Sequence, residues 1–404
     1  MALLSSRWLL PIDRPPIHGG WIDVADGRIR RLGQGAPPGP AEDLGDVAIL
    51  PGLVNAHTHL ELSWMAGHVP PAGSLVDWIR DVLRVRAAGP AGGSAAAREA
   101  AFAAARTLRA TGTVLVGDVS NELTTPAAIE AAGLAGVVFH ELIGFNAADP
   151  VLVVREALDR IAAVRLAHPD RLGLTLAPHA PYSVAPGLFA EIARHVPDGP
   201  LAVHLAESAE EVEFLRTGTG PFRRLLEDLG VWHGGWQARG EDPVAFLDRV
   251  GCLRAGLVAV HGVHLGDAAL ARLVRLGAIV VACPRSNVWV GAGLPRLSHW
   301  YAEGLAVAIG TDSLASSPTL NLFDELAEMR RLAPDVSAAC LLESATRVGA
   351  EALGFGWDYG TLAPGKVAAL TAVEVPPAVT DVEEYLVGGV PIAAIRPLHG
   401  PEAS

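Results

Sequence analysis

The regular alternation of short apolar runs with helix-patterned segments constrains this chain more than any other feature. After "VAILPGLVNAHTHL" come "TVLVGDVS", "GVVFHELIG", "LGLTLAPHA", "LAVHLAE", "LVAVHGVHL", "AIVVACPRSN" and "LAVAIGTDS". The runs are nearly continuous rather than alternating in polarity, the pattern of strands buried on both faces. Between them, "AAAREAAFAAARTLRA", "PGLFAEIARHV" and "DAALARLVRLG" repeat apolar positions at helical spacing. Strands and helices in this order, joined by right-handed crossovers, close most simply as a (β/α)8 TIM-like barrel of about 250 residues, with its chemistry at the C-terminal strand ends. An open doubly wound sheet is the rival. The expectation is an α/β chain with the barrel over 51–357 and a small β domain formed by both termini, 1–50 and 358–404.

A length of 404 residues suits one large unit with a smaller companion. The net charge of -13 argues against nucleic-acid binding, which leans on a basic face. The N-terminal stretch lacks a basic start followed by a long apolar segment, and nowhere do about 18 apolar residues run together, so no membrane partner and a cytoplasmic location are expected. Cys252, Cys283 and Cys340 have no disulfide or zinc spacing. Oligomeric state is left open, a homodimer included.

Polar residues gather where the expected strands end: His57 and His59 at strand one, His179 at strand four, His204 at strand five, His261 at strand six and Asp312 at strand eight. Any single one reads equally well as a hydrogen-bonded core residue. As a set converging on one barrel mouth, neutral imidazoles and a carboxylate are the donors a divalent zinc or iron ion accepts.

These residues sit in motifs that resemble the amidohydrolase superfamily, in the branch that includes cytosine, adenosine and S-adenosylhomocysteine deaminases and chlorotriazine hydrolases. "LPGLVNAHTHLELS", "APHAPYSV", "HLAES", "HGVHL", "CPRSN", "GTDSLAS" and "GTLAPGK" follow one another in the family's order. The resemblance implies that His57, His59, His204 and Asp312 bind the metal, that Glu207 is the catalytic glutamate, that His261 orients the nucleophile and that His179 contacts substrate. The closing "GKVAALTAVEV" departs from the family's Asp-containing strand.

The chemistry follows independently. A ring amino group leaves poorly and water attacks poorly, so both faults need correction. A divalent metal brings the pKa of its water towards ~7 and makes hydroxide available. Asp312 takes the released proton, and Glu207, near but off the metal, protonates the ring nitrogen. The plain alternative for Glu207 is a solvated charge on the acidic helix "ESAEEVEFL", which is the reading for Glu210, Glu211 and Glu213. His264 is read as structural. Binuclear relatives bridge two ions with a carboxylated lysine, and the only lysine here is Lys366, outside the barrel, so one ion, zinc or iron, is expected. Glu141 is expected to pack or anchor a loop, with a ligand role for a second ion as the alternative.

For substrate, "HTHLELS" with "GSLVDWI", the segment "FLRTGTGPFRRLLEDLGVW", "CPRSN" and "GTDSLASSPTLN" resemble aminodeoxyfutalosine deaminases more than guanine or cytosine deaminases. That implies a substrate with an adenine, a ribose and a benzoate. Arg285 or Arg216 is then the candidate for the carboxylate, and Trp64, Trp78 and Phe145 for ring stacking, against ordinary core packing for each aromatic. Ser286 and Asn287 are expected to fix the strand-seven loop. Two alternatives stand beside an adenine deaminase: a same-fold hydrolase of another C–N or C–Cl bond, and a non-enzymatic relative, which would be expected to have lost ligands.

Overall fold

The computed structural model describes residues 2–168 and 172–398. The strands Leu53–Thr58, Thr113–Ser120, Ala135–Leu142 and Leu172–Pro178 form one parallel sheet in chain order. Leu201–Leu205, Leu257–His261, Ile279–Ala282 and Ala306–Ile309 form a second, also parallel and in chain order. Helices intervene throughout, as the 3.6-residue pattern predicts. Ala95–Ala110, Ala-rich and started by Ser94 accepting from the Ala97 N–H, covers the segment expected to be helical. Asp267–Leu276 stops at Gly277, whose φ of 69° is the left-handed cap.

Successive residues of the parallel strands enter different cores. Val54, Val137, Val258 and Ala308 pack in one cluster, whereas Leu53, Val138, Ala259 and Val307 pack in the larger one beneath the helices. That is why the runs are apolar at nearly every position.

The two sheets approach each other at both edges through a few backbone bonds near the strand ends. His204 N–H donates to the His179 carbonyl (2.9 Å) and Asp312 N–H to the His57 carbonyl (3.1 Å). Gly310 permits the second approach, because a Cβ there would lie 2.7 Å from the His57 carbonyl oxygen.

A seven-stranded sheet draws on both ends of the chain: Ala2–Leu9, Ile17–Ala25, Arg28–Gln34, Glu42–Asp43, Val47–Pro51, Leu370–Glu374 and Ile395–Leu398. "VAILPGLVNAHT" is thus two strands rather than one. Val47–Pro51 pairs antiparallel with Leu370–Glu374, and Leu53–Thr58 begins the first parallel sheet. Gly52 makes the switch where a Cβ would meet Val114 Cγ1 at 2.2 Å. The apolar run "AIVVACPRSN" likewise ends its strand at Ala282 and turns into the helix Pro284–Trp289. Among the described residues no helix is long and apolar enough to cross a membrane.

Candidate metal centre and its cavity

His57, His59, His204, His261 and Asp312 meet at the ends of the parallel strands. His59 Nε2 lies 3.3 Å from His204 Nε2 and 3.6 Å from Asp312 Oδ1; His57 Nε2 lies 3.8 Å from the same oxygen. His57 Nε2 is buried with no hydrogen-bond partner among the described residues. His204 donates its other ring proton, from Nδ1, to the His179 carbonyl (3.0 Å), which turns the Nε2 lone pair towards the cluster. The backbone bends sharply to achieve this. Ala206, His261 and Asp312 take left-handed φ values of 50°, 75° and 57°, a strain that persists only where the surroundings enforce it.

Burial and the neighbouring imidazoles hold His57 well below its ordinary value. Burial brings His59 and His261 to about 3 and His179 to about 4, each partly offset by Asp312. All four rings are neutral at physiological pH. Burial pushes the Asp312 carboxyl up, but His59, His261, the Ser286 hydroxyl and His204 together hold it below the usual carboxylate range. Glu207 goes the other way. Burial, reinforced by Asp312 and Glu211, raises it well above an ordinary glutamate, and its Oε1 lies 3.5 Å from His261 Nε2.

Several supporting groups escaped the sequence reading. Glu211, expected on a solvated helix face, is fully buried, and its two oxygens accept the backbone N–H groups of Ala206 and Glu207 at 3.0 Å each. The signal was present in Ser208-x-x-Glu211, a capping-box pattern, and Ser208 does cap this helix. Ser286 and Asn287 do more than fix a loop. The Ser286 hydroxyl donates to Asp312 Oδ2 (2.6 Å), joined there by Ser316 (2.9 Å), and the Asn287 amide meets His261 Nδ1 (3.0 Å). Asp118, buried, accepts from the Leu60 N–H next to His59 and from the Thr125 hydroxyl.

The cluster floors a cavity of about 400 Å3. Trp78, Phe145 and His179 line it, with Val82, Phe222 and Leu225 among the apolar groups on its walls. Trp64 does not line it, and neither arginine singled out from the sequence does. Arg285 sits on the short helix after the seventh parallel strand, bonded to Thr319 (2.9 Å) and paired with Asp324 (3.4 Å) and Glu325 (3.6 Å). Arg216 is exposed at the end of the helix Ala209–Thr217. The arginine that reaches the cavity is Arg86, from the last turn of the helix Leu75–Ala88. Position in a chain of strands cannot reveal a residue delivered by a helix four turns long. His264 is structural as expected, its Nε2 meeting the Ala292 carbonyl at 2.8 Å.

Residues 48–395 match the amidohydrolase family, and the chain belongs to it. It is a hydrolase acting on carbon–nitrogen bonds. Over 338 residues it is 33% identical to an aminodeoxyfutalosine deaminase of Deinococcus radiodurans, covering 78% of this chain and 76% of the relative. It is 29% identical over 412 residues to a 5-methylthioadenosine/S-adenosylhomocysteine deaminase of Moorella thermoacetica, covering 95% and 89%. Among solved structures, an adenosine deaminase from Xanthomonas campestris with bound zinc superposes with a TM-score of 0.81 at 26% identity, over 98% of this chain and 90% of that one.

Proposed function

We propose that this protein is a metal-dependent aminohydrolase that removes the amino group of an adenine-type base as ammonia. One observation carries the reading: His57, His59 and His204, lowered by burial, and Asp312, held below the usual carboxylate range, face Glu207, raised well above an ordinary glutamate, on the floor of a mostly apolar cavity. The donor set suits a divalent ion, zinc first, since His57 Nε2 is an orphaned buried donor atom and His204 is oriented through its other nitrogen. His57, His59, His204 and Asp312 would hold it. When bound, such an ion supplies a nucleophile from water at neutral pH. The absence of lysine from the strands favours one ion, and Glu141, drawn towards Asn121 (2.9 Å), anchors a loop.

Asp312 accepts the first proton of the attacking water and passes it to the departing amino group. Glu207 gives its proton to the ring nitrogen that receives the electron pair, and regains one from the new hydroxyl as the lactam forms. The Asn287 amide donates to His261 Nδ1, which leaves the proton on Nε2, aimed at the charge that develops. The net change is one water consumed and one ammonia released.

The leading substrate is aminodeoxyfutalosine, supported by the Deinococcus relative; methylthioadenosine or S-adenosylhomocysteine is the alternative, supported by the Moorella relative. In our reading the two parallel sheets act as one (β/α)8 barrel over 51–357, with 1–50 and 358–404 as a composite β unit. Ammonia release from adenine nucleosides and pterins, with chloride release from chlorotriazines, tests the function. Turnover confined to pterins or chlorotriazines would overturn it.

A further inference from the structure

The first and last parallel strands, Leu53–Thr58 and Ala306–Ile309, carry three of the four proposed ligands at or just past their ends, yet they lie in different sheets. Among the described residues their edges are joined by a single isolated bridge, Thr58 to Asp312, whereas neighbouring strands within each sheet share a ladder. Side chains supply the rest of the tie. Asn55 Nδ2 donates to Thr311 Oγ1 (2.7 Å), and Asn55 Oδ1 accepts from the Thr311 N–H (3.1 Å). The amide can face only one way, because the Thr311 N–H requires the oxygen. Thr311 in turn donates its hydroxyl to the Asp312 carbonyl (3.3 Å), which also accepts from the Thr58 hydroxyl (2.9 Å). Asn55, Thr58 and Thr311 are all fully buried.

We propose that Asn55 is a positioning residue for the metal centre: its amide stands in for the missing ladder and, through Thr311, holds the Asp312 backbone so that the carboxylate stays against His57 and His59. The inference rests on the metal-dependent reading above. Asp312 is left-handed at φ 57°, a conformation that a residue other than glycine keeps only where its surroundings enforce it. Two hydroxyls fix its carbonyl and the His57 carbonyl fixes its N–H, which sets the 3.6 and 3.8 Å separations of its Oδ1 from His59 and His57. Packing alone does not call for an amide here. Leu53, Val54 and Ala56, in the same run, are buried and apolar, and an amide among them is costly unless both its ends are bonded. Neither Asn55 nor Thr311 lines the cavity, so their effect on the reaction passes through Asp312.

The test uses the purified zinc enzyme as wild type, Asn55→Ala, Thr311→Val and Thr311→Ser. Three quantities are read, with thermal unfolding alongside: zinc release to a chelator at equilibrium, the visible spectrum of the cobalt(II)-substituted enzyme, and kcat and KM separately on an adenine nucleoside that the wild type turns over. For Asn55→Ala, zinc affinity and kcat should each fall by about 10- to 100-fold, the range for groups that orient a ligand, with KM within about twofold. Thr311→Val removes one of the two bonds at nearly constant volume and should lose about three- to tenfold. The cobalt bands should change in both variants, and Thr311→Ser, which restores the hydroxyl, should recover most of the loss. A lower unfolding temperature with zinc affinity, cobalt spectrum and kcat unmoved would make the pair a tie between strands only and overturn the proposal. Equal losses in Thr311→Val and Thr311→Ser would do the same. Should Asn55→Ala fail to fold, the two Thr311 variants decide on the same readings. If the wild type binds zinc but turns over no adenine nucleoside, the deaminase reading fails, while zinc release and the cobalt spectrum still decide the role of Asn55. A wild type that holds no divalent ion overturns both.

Discussion

The floor and the walls of the cavity are built on opposite plans. On the floor, every group is polar and delivered by a strand end or the turn after it, and most are fully buried; burial lowers the imidazoles and raises Glu207, while its neighbours hold Asp312 below the usual carboxylate range. The walls come from the helices Leu75–Ala88 and Pro221–Asp228 and the residues just after the second, and they are mostly apolar. A floor group is fixed by the proton or ion it must handle. A wall group need only be apolar and about the right size. Reaction type is therefore written in the floor, and the choice of substrate in the walls.

The largest effect should come from removing a floor donor. His59→Ala is expected to lose the bound ion and to lower kcat by roughly 10³-fold or more, since the group that supplies the nucleophile goes with it. Metal analysis of the purified protein should find close to one equivalent in wild type. Two tightly held equivalents would break the single-ion reading and return Glu141 to the ligand set.

Glu207→Gln follows, with metal retained and kcat down about 10²- to 10⁴-fold. Its pH dependence has a definite sign. A glutamate raised by burial keeps its proton to higher pH than an ordinary one, so wild-type activity should persist above the ordinary carboxylate range and decline as pH rises through the raised value. The Gln variant should lack that alkaline limb. A variant with the limb intact would transfer the role of acid to another group.

The floor was legible because its residues fall at the one place where a strand pattern predicts position: the last residue or two of each apolar run. His57, His59, His179, His204, His261 and Asp312 could be brought to one mouth from spacing alone. The supporting shell was not. Glu211 looks like any surface glutamate until its helix is seen to start against the turn that carries Glu207, and Ser286 and Asn287 were hidden by a strand that becomes a helix at Pro284. Arg86 was missed and Arg285 overvalued for the same reason. Proximity in sequence to a strand end says little about side chains carried by helices, and Arg285 is already paired with two carboxylates. In the fold, the parallel order was readable, whereas the division at Gly52 depends on Val114, a contact across strands.

Between floor and wall stands Ser286. Ser286→Ala removes a 2.6 Å bond to Asp312 while Ser316 still donates to the same oxygen, so a fall of about tenfold in metal affinity or kcat is expected, at the low end for such supporting groups. A loss as large as that of His59→Ala would mean that Asp312 cannot keep its orientation on Ser316 alone. That would extend the floor by one residue.

The smallest effect should come from the outer edge of the walls. Arg80 on one wall helix and Asp228 on the other pair at 2.6 Å, with side chains 43% and 58% exposed. The bond looks like a latch across the mouth, but an ion pair so exposed is screened and contributes about 0 to 1 kcal/mol. The same two helices also present Trp78, Ile79, Phe222 and Leu225 to the cavity, and apolar packing of that kind outweighs one surface pair. Arg80→Ala should therefore lower stability by no more than about 1 kcal/mol in denaturant unfolding and change KM by less than about twofold. A markedly larger KM change, abolished at high salt in the wild type as well, would show that closure of the two helices over the substrate depends on this pair, and that the walls, like the floor, rely on placed charge.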